Sequence, residues 1–268
     1  EALLKLQEMF NAGLIDREFG VKDSGKAAEA AAAGKAGLHY GQMWNPLWPL
    51  VENKKNDPQA EWMAYPIVSV DGSPARPRTN LAVTNYYAVL KDAKHPEALI
   101  KMMNLFVEIG WGQTTTPEMY AEHFTKDGIE RFKYAPFVAW PARKNLDIHL
   151  AITEAMDTGD FSKLNPEMQN NYEQIKAYLD GQPDSEIGWA YNQVFGKDGS
   201  FKTINKYVNE NLILSNEFFG SPTPTMVEKD ATLVKMELEV FTRIILGEPI
   251  ELFDKFVEDW KKLGGSDI

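Results

Sequence analysis

Apolar residues along the chain recur mostly at helical spacing, with a few short runs that read as strands. Leu3, Leu6, Met9 and Phe10 share one stripe of a first helix, and Gly13 stops it. Residues 26–33 are alanine-rich and predict a helix ending at Gly34. Behind Pro96, the spacing of Ala98, Met102, Leu105 and Phe106 predicts a helix over 97–108, closed by Gly110. Further helices are expected at 147–157, at 166–180 before Gly181, and at 201–209. The clearest runs over 230–246, where Leu233, Met236, Val240, Phe241, Ile244 and Ile245 form a buried stripe. Pro249 opens a last helix carrying Phe253, Phe256, Val257 and Trp260.

Strands are expected at 36–40, 62–70 and 81–90, where apolar and β-branched residues gather. Polar turns fit 53–58, Asp71-Gly72, Lys126-Asp127-Gly128 and 197–200. Residues 111–146 and 189–195 read as irregular aromatic stretches. Many helices and few strands predict an α/β fold in which helices cover a small sheet. The strands are too few for a barrel of eight βα units.

The segment Gly34–Leu50, GKAGLHYGQMWNPLWPL, stands out. A short strand empties into a loop with Trp44 and Trp48 four residues apart. Indoles in loops either pack or bind, and a strand ending in such a mouth is a common way to build a small-molecule site. Trp111, Trp140, Trp189 and Tyr191 also sit among Gly, Pro or Asn. Flat rings in such segments suit stacking on the apolar C–H faces of sugars, with nearby amides and carboxylates meeting the hydroxyls. For any single aromatic residue, packing beneath a loop is the commoner fate. At least two of the set are expected to line a cleft.

Composition narrows the field. The chain has 268 residues, enough for one large domain or two lobes, with 44% hydrophobic and 25% charged residues. Its 28 Lys and Arg against 39 Asp and Glu leave a net charge of −11, which argues against nucleic acid and against docking on anionic lipid. There is no cysteine, so disulfides, thiolate metal sites and cysteine nucleophiles are excluded. No apolar run approaches the roughly 18 residues of a membrane span. The chain opens in mid-helix without a leader, and is expected to be part of something longer.

No catalytic or metal motif emerges, and no cofactor is expected. His39, His95, His123 and His149 are isolated from one another and from carboxylates at ligand spacing. Phosphate loops, GxGxxG and GxSxG are absent, and no calcium-loop ligand series occurs. Glu118 with Glu122, or Asp184 with Glu186, offers a carboxylate pair for glycoside hydrolysis, although a solvated acidic face explains both more simply.

Several stretches together resemble one family: QEMFNAGLIDREF at 7–19, GKAGLHYGQMWNP at 34–46, YPIVSVDGSP at 65–74, HPEALIKMMNLFVE at 95–108, VFGKDGS at 194–200, and FFGSPTPTM followed by FTRIILGEPIELFDKFVEDWKKLGG within 218–265. They are similar to the extracellular (family 1) solute-binding proteins of carbohydrate ABC importers, in the cluster that includes maltose-binding protein, and within it to LipO-type lipoproteins of Gram-positive bacteria. The last stretch is long and specific; the GLID element is widespread in that cluster.

The resemblance implies a helix-rich, periplasmic-binding-protein-like fold of type II: two α/β lobes joined by hinge strands and closing on a sugar. It implies a C-terminal fragment with an incomplete first lobe. Residues 1–64 would belong to the second lobe, 65–80 to a hinge crossing and 81–110 to the first lobe. Residues 111–268 would finish the second. It further implies a monomer that does no catalysis, binds a carbohydrate and delivers it to permease subunits. Its place would be the cell surface, on a lipid anchor outside this chain. Carried over by motif, Trp44 would stack on the sugar beside Asn45, with Trp48 packed under the loop. Trp189 and Tyr191 would face the cleft, and Asn85 and Tyr86 would border the hinge. A peptide or anion is the alternative solute, which a buried Arg76 or Arg143 would favour. A polysaccharide-active enzyme module is the third reading.

Overall fold

The computed structural model describes residues 1–80, 83, 85–126, 129–218 and 220–268. It is helix-rich, and the described strands form two two-stranded ladders with no closed barrel. The chain divides into two compact units, one of residues 1–27 with 217–268, the other of residues 28–216.

The first unit holds α1 (Ala2–Asn11), α10 (Pro224–Ile245) and α11 (Leu252–Lys262). Gly13 follows α1 at φ +75°, a left-handed conformation that costs glycine little. The long helix α10 starts six residues before the stripe predicts. Thr223 caps it, its side chain accepting from the Met226 N–H, and Pro224 takes the first turn, where no N–H is needed. Its stripe buries Leu233 and Ile244, and Phe241 meets Phe253 and Phe256 of α11 at 6.1 and 5.5 Å between ring centres. Gln7 of α1 donates to the Glu248 carbonyl at 3.0 Å, satisfying an acceptor just beyond the end of α10.

The second unit carries α3 (Val51–Asn56), α4 (Glu97–Trp111), α5 (Pro117–His123), α6 (Lys144–Thr158), α7 (Pro166–Leu179), α8 (Glu186–Phe195) and α9 (Ser200–Asn209). Helix α2 (Ser24–Ala32) precedes them. Its largest core gathers Ile148 and Ile152 of α6, Ile175 of α7, Val194 and Phe195 of α8, and Phe201 of α9. Helices α7 and α8 approach closely because Gly188 has no side chain: a Cβ there would stand 2.2 Å from the Gln174 carbonyl oxygen.

Several local expectations need correcting. Residues 189–195 are helical, not irregular, and 53–58 is largely the end of α3 rather than a polar turn. Gly110 does not end α4, which runs on to Trp111; it sits where Phe124 presses against the helix. The irregular stretch 111–146 contains α5 and the start of α6. Residues 36–40 and 62–70 form no ladder. Of the expected strand at 81–90, Leu81, Ala82 and Thr84 lie outside the described residues, and the remainder is not laddered. Asp127 and Gly128 of the expected turn also lie outside them. Among the described residues the ladders are β1 (Arg78–Thr79), parallel to β4 (Leu214–Ser215), and β2 (Thr125–Lys126), antiparallel to β3 (Ile129–Glu130).

Candidate functional site

The loop that carries Trp44 is held by its own hydrogen bonds. Asn45 N–H donates to the Gln42 carbonyl at 3.0 Å, and the Asn45 side-chain oxygen accepts from the Gln42 N–H at 3.2 Å. The Asn45 amide folds back against Gly41, where a Cβ would collide with it. Leu47 and Leu50 N–H groups donate to the carbonyls of Trp44 and Asn45. One wide turn over 46–50 then leads into α3, burying Pro46, Pro49 and Leu50. The loop is therefore ordered by short-range bonds, and its apolar residues anchor it from below.

That arrangement leaves Trp44 at the surface, 42% exposed, with its indole N–H donating to the Gln42 side-chain oxygen. Trp48 is 51% exposed as well, so it is not packed under the loop as expected. Met43 and Leu47 turn inward against the main core of the second unit. The Ser200 hydroxyl, at the first turn of α9, donates to the Met43 carbonyl at 2.6 Å. This bond joins the GQMWNP stretch to the end of VFGKDGS, two stretches separated by about 150 residues of chain.

Tyr191 packs against the same core cluster that Met43 and Leu47 touch, and stacks on Phe195 at 6.2 Å. Burial pushes its phenol up to about 12, and the negative charges of Glu130 and Glu167 push in the same direction. Trp189 is elsewhere. Two residues apart on a helix means about 200° of rotation, so Trp189 and Tyr191 cannot line one wall. Trp189 is 0% exposed, in a second core with Ala31, Leu50 and Val51. Its N–H donates to Glu61 at 3.1 Å, Glu61 pairs with Lys54, and the Lys54 ammonium stands 5.7 Å from the Trp189 ring centre. In this arrangement Trp189 offers no face to a ligand.

Asn85 and Tyr86 lie in a segment without secondary structure, both exposed, Tyr86 at 89%. No ring contact or hydrogen bond joins Tyr86 to Trp44 or Tyr191 among the described residues. Of the six residues expected at the site, the structure joins Trp44 and Asn45 on one loop; Tyr191 packs on the core beneath, with no hydrogen bond or ring contact to that loop among the described residues.

A further constellation was not legible beforehand. Lys144, first residue of α6, forms an ion pair with Glu167 at the start of α7. The other Glu167 oxygen accepts from the Trp111 indole at 2.5 Å. The Lys144 ammonium stands 5.6 Å from the Trp111 ring centre and 5.1 Å from that of Trp140. Three helix ends thus meet on one buried carboxylate. The two indoles are visible in the sequence; the charged pair, 23 residues apart, has no local signal.

The histidines stay apart. His149 is buried with Nδ1 3.0 Å from the Phe195 carbonyl, and burial holds its pKa below the usual value. Among the described residues no group of three His, Asp or Glu could hold a metal, and no helix is long and apolar enough to cross a membrane. Asp184 is an exposed loop residue before α8, and Glu122 is shared by Lys126 and Arg131. The site around Trp44 is suited to stacking and amide hydrogen bonding.

The chain is 24% identical over 276 aligned residues to the "Uncharacterized protein in butB 5'region" of Niallia circulans, covering 99% of this chain and 94% of that protein. That protein's name carries no activity. No family model matches the chain. No solved structure matches it.

Proposed function

We propose that the chain is part of the extracellular solute-binding component of an ABC importer, of the LipO-type, maltose-binding-protein-like kind, and that it binds a carbohydrate without catalysis. The single observation that carries the reading is Trp44: an indole 42% exposed on a hydrogen-bonded loop, beside the side-chain amides of Gln42 and Asn45. An apolar ring with adjacent amides offers what a sugar needs, a stacking plane and hydroxyl partners. The motif resemblance supplies the rest: two lobes with hinge strands, boundaries near 64, 80 and 110, a lipid anchor outside this chain and a permease as partner.

A sugar is favoured over a peptide or anion because Arg76 and Arg143 are both exposed, and Arg143 lies 3.5 Å from Asp147 on its own helix. A desolvated guanidinium is what would select a carboxylate or phosphate. The test is a glycan array and a thermal-shift panel of oligosaccharides. Binding by the wild-type protein that Trp44→Ala abolishes, with folding unchanged, supports the reading. A blank array and panel on the full-length parent protein overturn it.

A further inference from the structure

Helix α4, the end of α5 and the turn at 131–137 border an open cleft of about 360 Å³ whose lining does not include the Trp44 loop. Its walls include Leu105, Phe106, Phe124 and Phe137, and its polar groups come from His123, Arg131 and the Tyr134 hydroxyl. An apolar cavity of about 150 Å³ suffices for benzene, so this one has room for two fused rings. The cleft is not a featureless apolar hollow, because Arg131 is aimed by a neighbour. Its Nη1 donates to the Glu122 carbonyl at 2.7 Å and to the Glu122 carboxylate at 2.8 Å. Both bonds use one nitrogen. Among the described residues, Nε and Nη2 make no hydrogen bond, and this is the edge that takes a carboxylate by two parallel bonds.

We infer that this cleft is a second ligand site, independent of the sugar reading, for a small amphipathic anion: an aromatic or acyl body in the apolar walls and a carboxylate on Arg131. The charge complementarity fixes the class. A neutral apolar guest would fill the walls but leave the Nε–Nη2 edge without a partner, and a cation would face the guanidinium.

The experiment is isothermal titration of the 268-residue chain with naphthoate and with its neutral counterpart, naphthylmethanol. Naphthoate is expected to bind about tenfold more tightly than the alcohol, in keeping with one charge-assisted pair at a partly exposed arginine. Arg131→Gln is expected to remove that tenfold advantage and leave the alcohol unchanged. Leu105→Trp, which fills the cleft, is expected to weaken both. Absent naphthoate binding, or equal binding of the two probes by the wild-type protein, overturns the proposal without reference to any variant. So does naphthoate affinity that survives Arg131→Gln.

Discussion

The Ser200 hydroxyl donates to the Met43 carbonyl at 2.6 Å, and the residue after Met43 is the exposed indole of Trp44. A helix start and the Trp44 loop, distant in sequence, are thus held in register by one partly buried bond. Removing a hydroxyl there leaves a carbonyl without its partner, which costs about 1–2 kcal/mol. Ser200→Ala is therefore expected to lower the urea midpoint with an unchanged denaturant slope. It should also weaken any sugar that stacks on Trp44. An unchanged midpoint would mean that the loop stands without this tie.

Trp44 and Trp189 differ in what their loss should do. Trp189→Ala opens a void in a fully buried core and removes a donor to Glu61, a loss of about 3–5 kcal/mol. Trp44→Ala removes a half-exposed ring and is expected to change stability by less than about 0.5 kcal/mol. Thermal and urea unfolding of both variants, followed by sugar titration, separate a packing residue from one proposed to meet a ligand. Similar destabilisation by both would show that Trp44 packs rather than binds.

These two residues also show how far the sequence reads. Stripes at helical spacing located α1, α4 and α10 because such a stripe is a local property with one satisfactory outcome, burial of that face, and Pro166 and Gly181 bracketed α7. The Trp189 region misled because Gly188 resembles a turn signal; its purpose here is the close approach of α7 to α8. Residues 62–70 have the composition of a strand, yet a ladder needs a partner from distant chain. Here the Ile67 N–H is met by the Tyr207 hydroxyl at 3.0 Å. At the candidate site the Trp44 loop was legible as an aromatic mouth. Its tie to Ser200 was not, since nothing local marks a bond across that separation.

The Lys144–Glu167 pair is expected to behave as a buried ion pair. The two side chains are 15% and 10% exposed, and Glu167 also accepts from Trp111. Removing one partner strands the other charge, so Lys144→Met alone is expected to destabilise by about 3 kcal/mol. Lys144→Met with Glu167→Met restores part of that loss, because no charge remains buried. A double-mutant cycle by urea unfolding measures the coupling. Additive losses would show that the pair is solvated and contributes little.

His149 sets an acid limit on stability. It is buried on α6, with Nδ1 3.0 Å from the Phe195 carbonyl. Burial is the main cause holding its pKa below the ordinary histidine value; Lys202 acts in the same direction, and the carbonyls of Phe195 and Gly196 oppose both. As pH falls below about 6.5, the unfolded chain takes up this proton before the folded chain does, so stability declines. Above that value both states are neutral at this residue, and its contribution is constant. The midpoint of thermal unfolding is therefore expected to fall between pH 7 and pH 5, and His149→Gln to flatten that slope while lowering the plateau. The same slope in wild type and variant would show that His149 does not carry the acid sensitivity in this range. Glu108, Glu122 and Asp198, whose pKa values hydrogen bonds lower in the folded state, contribute only at more acid pH, below the ordinary carboxylate range.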